Sequence, residues 1–151
     1  MFRGVNTLSL DSKGRMAIPT RYRDQLARSC NGQMVLTVDR DHCLLLYPQP
    51  EWEEIERKIM KLSSFNKQTR KLQRMLVGHA TECEMDGNGR ILLPPPLREF
   101  SGLNKEVVLI GQGNKFEIWD DGMWNTRRGE WLKDEGTDDD KLPPDLESLS
   151  L

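Results

Sequence analysis

Asp11-Ser12-Lys13-Gly14-Arg15-Met16-Ala17-Ile18-Pro19 is followed by Tyr22-Arg23, and 75 residues later Asp86-Gly87-Asn88-Gly89-Arg90-Ile91-Leu92-Leu93-Pro94 is followed by Leu97-Arg98. Asp, Gly, Arg, Pro and Arg recur at identical internal spacing. The likeness runs on downstream: Met34-Val35-Leu36-Thr37-Val38 matches Val107-Val108-Leu109-Ile110, and Leu44-Leu45-Leu46-Tyr47 matches Phe116-Glu117-Ile118-Trp119. Trp52 and Trp124 each stand five residues after the aromatic that closes the preceding run. Five matches in one order identify an internal duplication, and repetition at a fixed separation is a statement about architecture before it is one about function.

Each copy reads as strand, turn, strand, short helix, strand, strand. Leu8 and Leu10 alternate with Thr7 and Ser9, the pattern of a half-buried strand. Asp11 to Gly14 is a tight turn, in which Asp accepts from backbone amides ahead of it and Gly supplies a positive φ. Arg15 to Ile18 returns as a strand with Met16 and Ile18 on one face. Pro19 ends that strand and suits the first turn of a helix over Thr20–Ala27. The Asp39–His42 turn joins the third and fourth strands, and in the second copy the corresponding turn is expected at Gly111-Gln112-Gly113-Asn114-Lys115. Between the copies, Trp52, Ile55, Ile59 and Leu62, then Leu72, Met75 and Leu76, fall at helical spacing, with a break at Ser63-Ser64-Phe65-Asn66. The expected fold class is therefore mainly β with α connectors, organised as a module over 1–52, a helical connector over 53–76, a second module over 77–124 and an acidic C-terminal tail over 125–151.

The chain has 151 residues, 30% of them charged and 36% hydrophobic, which suits a polar protein of one ordinary domain or two very small ones. Two such small units need each other, or another subunit, to complete a core. Cys30, Cys43 and Cys83 form no Cys-x-x-Cys pair and, with His42 and His79, no zinc-like spacing, so they are read as free thiols of a reducing cytosol. No run approaches the length of a membrane-spanning helix, and a cytoplasmic location is expected. The net charge of −2 conceals an asymmetry: residues 130–151 carry −6 and the remaining 129 carry +4. Local potential, not total charge, decides whether a polyanion binds.

Catalytic readings fail on the residues themselves. Gly111-Gln112-Gly113 lacks the third glycine of a dinucleotide fingerprint and the Gly-Lys-Ser/Thr ending of a phosphate loop. Each histidine occurs in one copy only, and Glu51, Glu53, Glu54 and Glu56 suit the solvated start of a helix. No enzyme, cofactor, metal or small-molecule substrate is expected. The duplicated Asp-x-x-Gly-Arg turn is different, because a local turn with an ion pair explains Asp and Gly but not why arginine leads the next strand twice. An arginine held there presents a rigid donor fork suited to phosphate and to guanine. On these residues alone, nucleic-acid binding and a plain interaction module both stand. The connector's seven bases between Arg57 and Arg74 are read as a solvated face, and Ile55, Ile59, Leu72 and Leu76 as adhesive surface between subunits.

Leu10-Asp11-Ser12-Lys13-Gly14-Arg15 with Pro19 and Tyr22-Arg23, repeated as Asp86-Gly87-Asn88-Gly89-Arg90 with Pro94 and Leu97-Arg98, closely resembles the MraZ family. The resemblance runs from Met1 through Trp124. It implies two SpoVT-AbrB-type ββαββ modules forming an interleaved, swapped-hairpin β-barrel. It implies a nucleoid-associated transcriptional regulator that binds short G-rich direct repeats of double-stranded promoter DNA as a homo-oligomeric ring, acting on its own operon and the division and cell-wall cluster. Carried over, the DNA-contacting motif falls on Asp11 and Arg15 and on Asp86 and Arg90; Lys13 is added from charge and position. The second copy has Asn88 where the first has Lys13, and residues 77–129 hold two more acids than bases, so the second copy is expected to contribute less. The rival readings are a toxin–antitoxin antidote, which shares this small module, a non-DNA-binding scaffold and, more distantly, a metal-dependent nuclease.

Overall fold

The strand-forming runs of the two copies solve their burial problem by pairing with each other. In the computed structural model, which describes residues 1–134, the first copy contributes β1 (Phe2–Ser9), β2 (Arg15–Ala17), helix α1 (Thr20–Cys30), β3 (Gln33–Val38) and β4 (Leu44–Pro48). The connector holds α2 (Gln49–Met60), α3 (Lys67–Leu72) and a π-helical turn, Gln73–Val77. The second copy contributes β5 (Thr81–Glu84), β6 (Arg90–Leu92), α4 (Pro95–Phe100), β7 (Glu106–Gly113) and β8 (Phe116–Asp120), and α5 (Asp121–Lys133) follows. Both copies therefore fold as ββαββ.

Six strands form one sheet in the order β1-β7-β8-β4-β3-β5, and β2 pairs with β6 in a separate ribbon. All pairs are antiparallel. Only β3·β4 and β7·β8 lie within a copy. β1·β7 and β3·β5 are equivalent exchanges in opposite directions, and β2·β6 and β4·β8 each join one strand to its own counterpart, so the pairing obeys an approximate two-fold relation. β3 and β4 are buried almost throughout because the sheet's inner face meets the core and α2 covers the other side, where Trp52 packs against Tyr47 with ring centroids 5.6 Å apart. Met16, Ile18, Ile91 and Leu93 from the ribbon and its exits join Leu36, Leu46, Leu109 and Phe116 from the sheet in one hydrophobic cluster.

Several expectations need correction. The sheet is open: β1 and β5 are its edges, and the two ribbon strands, three residues each and soon followed by Pro19 and Pro94, do not pair with them to close a barrel. Helix α1 continues to Cys30 and ends where Asn31 takes the left-handed conformation. β7 continues through Gly113, leaving Asn114-Lys115 as the turn. Ile59 is only 7% exposed within the chain, so it is core rather than subunit surface, whereas Phe65 in the α2–α3 break is 94% exposed. Asn66 caps α3 by accepting from the Gln68 and Thr69 amides, and Arg70 donates to the Ser64 and Phe65 carbonyls, so one of the connector's bases braces that break. The three cysteines are unbonded, and burial pushes the Cys83 thiol up to about 12.

Met1–Asp121 forms one compact unit and the chain from Gly122 another. Within the latter, α5 makes residues 125–133 helical, with Trp124 and Trp131 meeting edge to face at 5.7 Å. The acidic run from Gly136, expected to be mobile, lies outside the described residues.

Because the core is shared between copies, truncating it on one side should weaken both. Leu46→Ala empties a fully buried position and should cost about 2–5 kcal/mol. Urea unfolding followed by circular dichroism and by tryptophan fluorescence should give one coincident transition, not separate losses of the two halves.

Candidate nucleic-acid interface

The two repeated turns are built alike, hydrogen bond for hydrogen bond. Asp11 Oδ1 accepts from the Lys13 and Arg15 amides at 2.9 Å each, and Oδ2 accepts from Arg15 Nε at 2.6 Å. Asp86 Oδ1 accepts from the Asn88 and Arg90 amides at 2.9 Å each, and Oδ2 from Arg90 Nε at 3.0 Å. One carboxylate thus shapes the turn with one oxygen and fixes the arginine rotamer with the other. Each arginine uses Nε for this and keeps its two terminal nitrogens without an intramolecular hydrogen bond among the described residues. Both arginines are about 30% exposed at the side chain.

The hydrogen bond accepted from the Arg15 amide, with the Arg15 side chain and the Lys13 amide adding to it, holds the Asp11 carboxyl at about 2. The Asp86 carboxyl is also depressed, chiefly by the Arg90 amide. Both stay ionised throughout the neutral range, so the arginines remain braced there.

The ribbon decides where these arginines point. Arg15 faces Leu92, Met16 faces Ile91 and Ala17 faces Arg90. Facing residues of an antiparallel pair share a side, so Arg15, Ala17, Arg90 and Leu92 occupy one face and the buried Met16 and Ile91 the other. Arg15 and Arg90 are diagonal neighbours, with Cα atoms roughly 7–8 Å apart. All five expected residues, Asp11, Lys13, Arg15, Asp86 and Arg90, therefore belong to this one ribbon and its turns. Lys13 sits exposed in the first turn, engaged only through its amide.

Two further arginines complete the site. Arg23 Nε donates to Ile18 O at 2.7 Å, and its side chain lies over Gly89. Arg98 Nε donates to Leu93 O at 2.9 Å, and its side chain lies over Gly14, 2.6 Å from where a Cβ would stand. Each copy's second arginine thus packs on the other copy's turn. Gly14 and Gly89 are required twice over, by φ of 80° and 74° and by this close approach. The recurrence of Tyr22-Arg23 as Leu97-Arg98 was the signal: Tyr22 and Leu97 are buried anchors that place the arginines.

Asp39, Cys43 and Glu117 bring three potential metal-ligating atoms within 4.8 Å of one another at the far side of the sheet. Burial, with Glu117, Asp39 and Asp41 nearby, holds the Cys43 thiol protonated, and its Sγ lies 3.8 Å from Asp39 Oδ2. This is the chemistry of a buried turn closure.

Sequence comparison agrees with the duplicated site. A family model described as "MraZ protein, putative antitoxin-like" matches residues 1–75 and 76–139. Proteins named "Transcriptional regulator MraZ" from Thioalkalivibrio sulfidiphilus, Methylococcus capsulatus and Halorhodospira halophila are 62%, 60% and 57% identical to this chain, each over the full length of both sequences. The chain belongs to the MraZ family. The two matched segments divide close to the start of β5, so each half of the MraZ match holds one complete Asp–Arg turn.

The depressed carboxyl fixes a pH signature. A group whose folded pKa lies below its ordinary value contributes stability that is present above that ordinary value and lost as pH falls through the folded one. The stability difference between the wild type and Asp11→Asn should therefore be full above about pH 5 and should shrink as pH approaches 2. Carboxyl chemical shifts followed by NMR should place the Asp11 titration well below the ordinary carboxylate range. An Asp11 titration at the ordinary carboxylate position would contradict the bracing geometry.

Proposed function

We propose that this chain is a sequence-specific DNA-binding transcriptional regulator that inserts the β2·β6 ribbon into the major groove. The observation that carries this is the shared face of Arg15 and Arg90, each held by its own aspartate with its terminal nitrogens free. The major groove admits a two-stranded β-ribbon, and arginine's planar fork matches guanine O6 and N7. Bracing before binding lowers the ordering cost of each contact. The names carried by the relatives, "Transcriptional regulator MraZ", favour the same role.

On this reading the chain is two fused modules, 1–52 and 77–124, joined by the connector 53–76 and interleaved through one shared core. It works in the cytoplasm on the nucleoid, as a regulator of its own operon and the neighbouring division and cell-wall genes. It binds short G-rich direct repeats as a ring of identical subunits. Open edges at β1 and β5 and the exposed Met60, Leu62 and Phe65 favour assembly. Repeated subunits facing repeated sites raise the effective concentration of every later contact. The family description "antitoxin-like" supports a second reading, an antidote to a small toxin. Co-purification of a small toxin, with no salt-dependent binding to the chain's own upstream DNA, would establish it instead.

Arg15→Ala should weaken binding to that upstream region by about 1–3 kcal/mol per contact and leave fold and assembly intact. Arg90→Ala should do less, because its copy is more acidic. Unchanged affinity of the double variant in a gel-shift titration would refute the assignment. Assembly has its own test. Phe65→Asp, at a position outside the core, should shift light-scattering mass toward smaller species. Those species should bind one repeat about as well as the ring does but lose its advantage on an array of three.

A further inference from the structure

The solvent face of the ribbon holds four side chains, and only two are arginines. Leu92 stands directly opposite Arg15, and Ala17 directly opposite Arg90. Leu92 is 51% exposed, while its neighbours Ile91 and Leu93 are buried. Its side chain adds little to the core, yet it occupies the most prominent apolar position on an arginine-bearing face.

We infer that Leu92 reads a base: it contacts the 5-methyl group of a thymine next to the guanine taken by Arg15. Ala17 holds the equivalent position beside Arg90 but is too short to make that contact. This rests on the ribbon being the surface that meets DNA. The thymine methyl is the one apolar group that the bases present in the major groove, and aliphatic side chains are its partners. Facing Cβ atoms in an antiparallel pair lie about 4.5–5.5 Å apart, and base pairs rise by about 3.4 Å. An apolar residue opposite an arginine that is bonded to guanine therefore falls over an adjacent base, not the same one. The two rows of the face are two residues apart along each strand, roughly 6.6–6.8 Å, so they make separate contacts.

The two rows also differ. Arg15–Leu92 combines the shorter Asp–Arg brace, 2.6 Å against 3.0 Å, with the longer apolar side chain. Arg90–Ala17 has the longer brace and a single methyl. Recognition should be strongest on the Arg15–Leu92 side, with thymine favoured there and nearly any base tolerated beside the Arg90 contact.

The test uses the full-length protein and a duplex from its own upstream region carrying the G-rich repeats, synthesised with thymine or with deoxyuridine in the repeats. Removing the thymine methyls should weaken wild-type binding about fourfold per contacted methyl, from about 0.8 kcal/mol for one buried carbon. Leu92→Ala should lose a similar factor on the thymine duplex and no longer distinguish it from the uracil duplex. Leu92→Met, which keeps apolar reach, should retain most of the discrimination. Circular dichroism should show all variants folded, since the position is exposed. Equal wild-type affinity for both duplexes, or full thymine preference in Leu92→Ala, overturns the inference. Undiminished binding by Arg15→Ala is a different failure: it removes the ribbon from the DNA surface and with it the functional reading itself.

Discussion

Two crossed main-chain hydrogen bonds hold the ribbon end of the molecule together: Ile18 N donates to Gly89 O at 2.8 Å, and Leu93 N donates to Gly14 O at 3.0 Å. Each ties the exit of one copy's second strand to the turn of the other copy. With them in place, three residues of β2 and three of β6 are enough for a ribbon, although neither run could persist as a hairpin strand alone. The crossing sets the turns at opposite ends of the ribbon and directs Met16, Ile18, Ile91 and Leu93 inward. It also brings Arg98 onto Gly14 and Arg23 onto Gly89. The arginines that face solvent are oriented because the residues beside them are not free to move.

Much of this was legible in the sequence because the duplication spelled out each local decision twice. Gly, Pro and Asp at fixed offsets located the turns, the helix starts and the strand between them, and the apolar alternation identified the buried face. Strand partnership was not legible. Period-2 patterning shows that a strand has a buried side but not which strand lies next to it, and here the partners in the other copy are 45 to 111 residues away, from β3·β5 to β1·β7. The second arginines, Arg23 and Arg98, were visible as repeats, but their role depends on the other copy's turn. The connector misled for a related reason: Ile59 lies on the apolar stripe of α2, and a stripe predicts burial without saying whether the cover comes from the same chain. Here α2 packs on β3, β4 and the π-helical turn of its own chain.

The electrostatics follow the same division between total and local. A chain with net charge −2 is a poor ligand for a polyanion as a whole, but all of its excess acid lies beyond residue 129. At the ribbon, each aspartate is paired with an arginine and engaged by two amides, so little of its charge is left to repel phosphate. Its field is spent on the turn. The arginine's unused donors and its neighbours Lys13, Arg23 and Arg98 then set the local sign. An acidic residue inside the proposed DNA-contacting motif is thus consistent with binding, because it fixes the rotamer of the arginine beside it.

Fusing two modules in one chain has a consequence that a dimer of single modules could not reach. Two identical modules must present identical corners, and their ribbon face would be strictly two-fold, suited to a palindrome. Here the halves have diverged at the positions where a base-reading face would register it: Lys13 against Asn88 in the turns, Leu92 against Ala17 on the ribbon, and a shorter brace on Arg15 than on Arg90. The core positions under that face remain interchangeable, Met16 for Ile91 and Ile18 for Leu93, because both sides must still fit one shared core. A face with a direction matches a site with a direction. On the proposed reading, this is why repeats arranged head to tail, rather than inverted about a centre, suit the protein: every subunit of a ring meets its repeat in the same orientation, with its stronger corner on the same side each time.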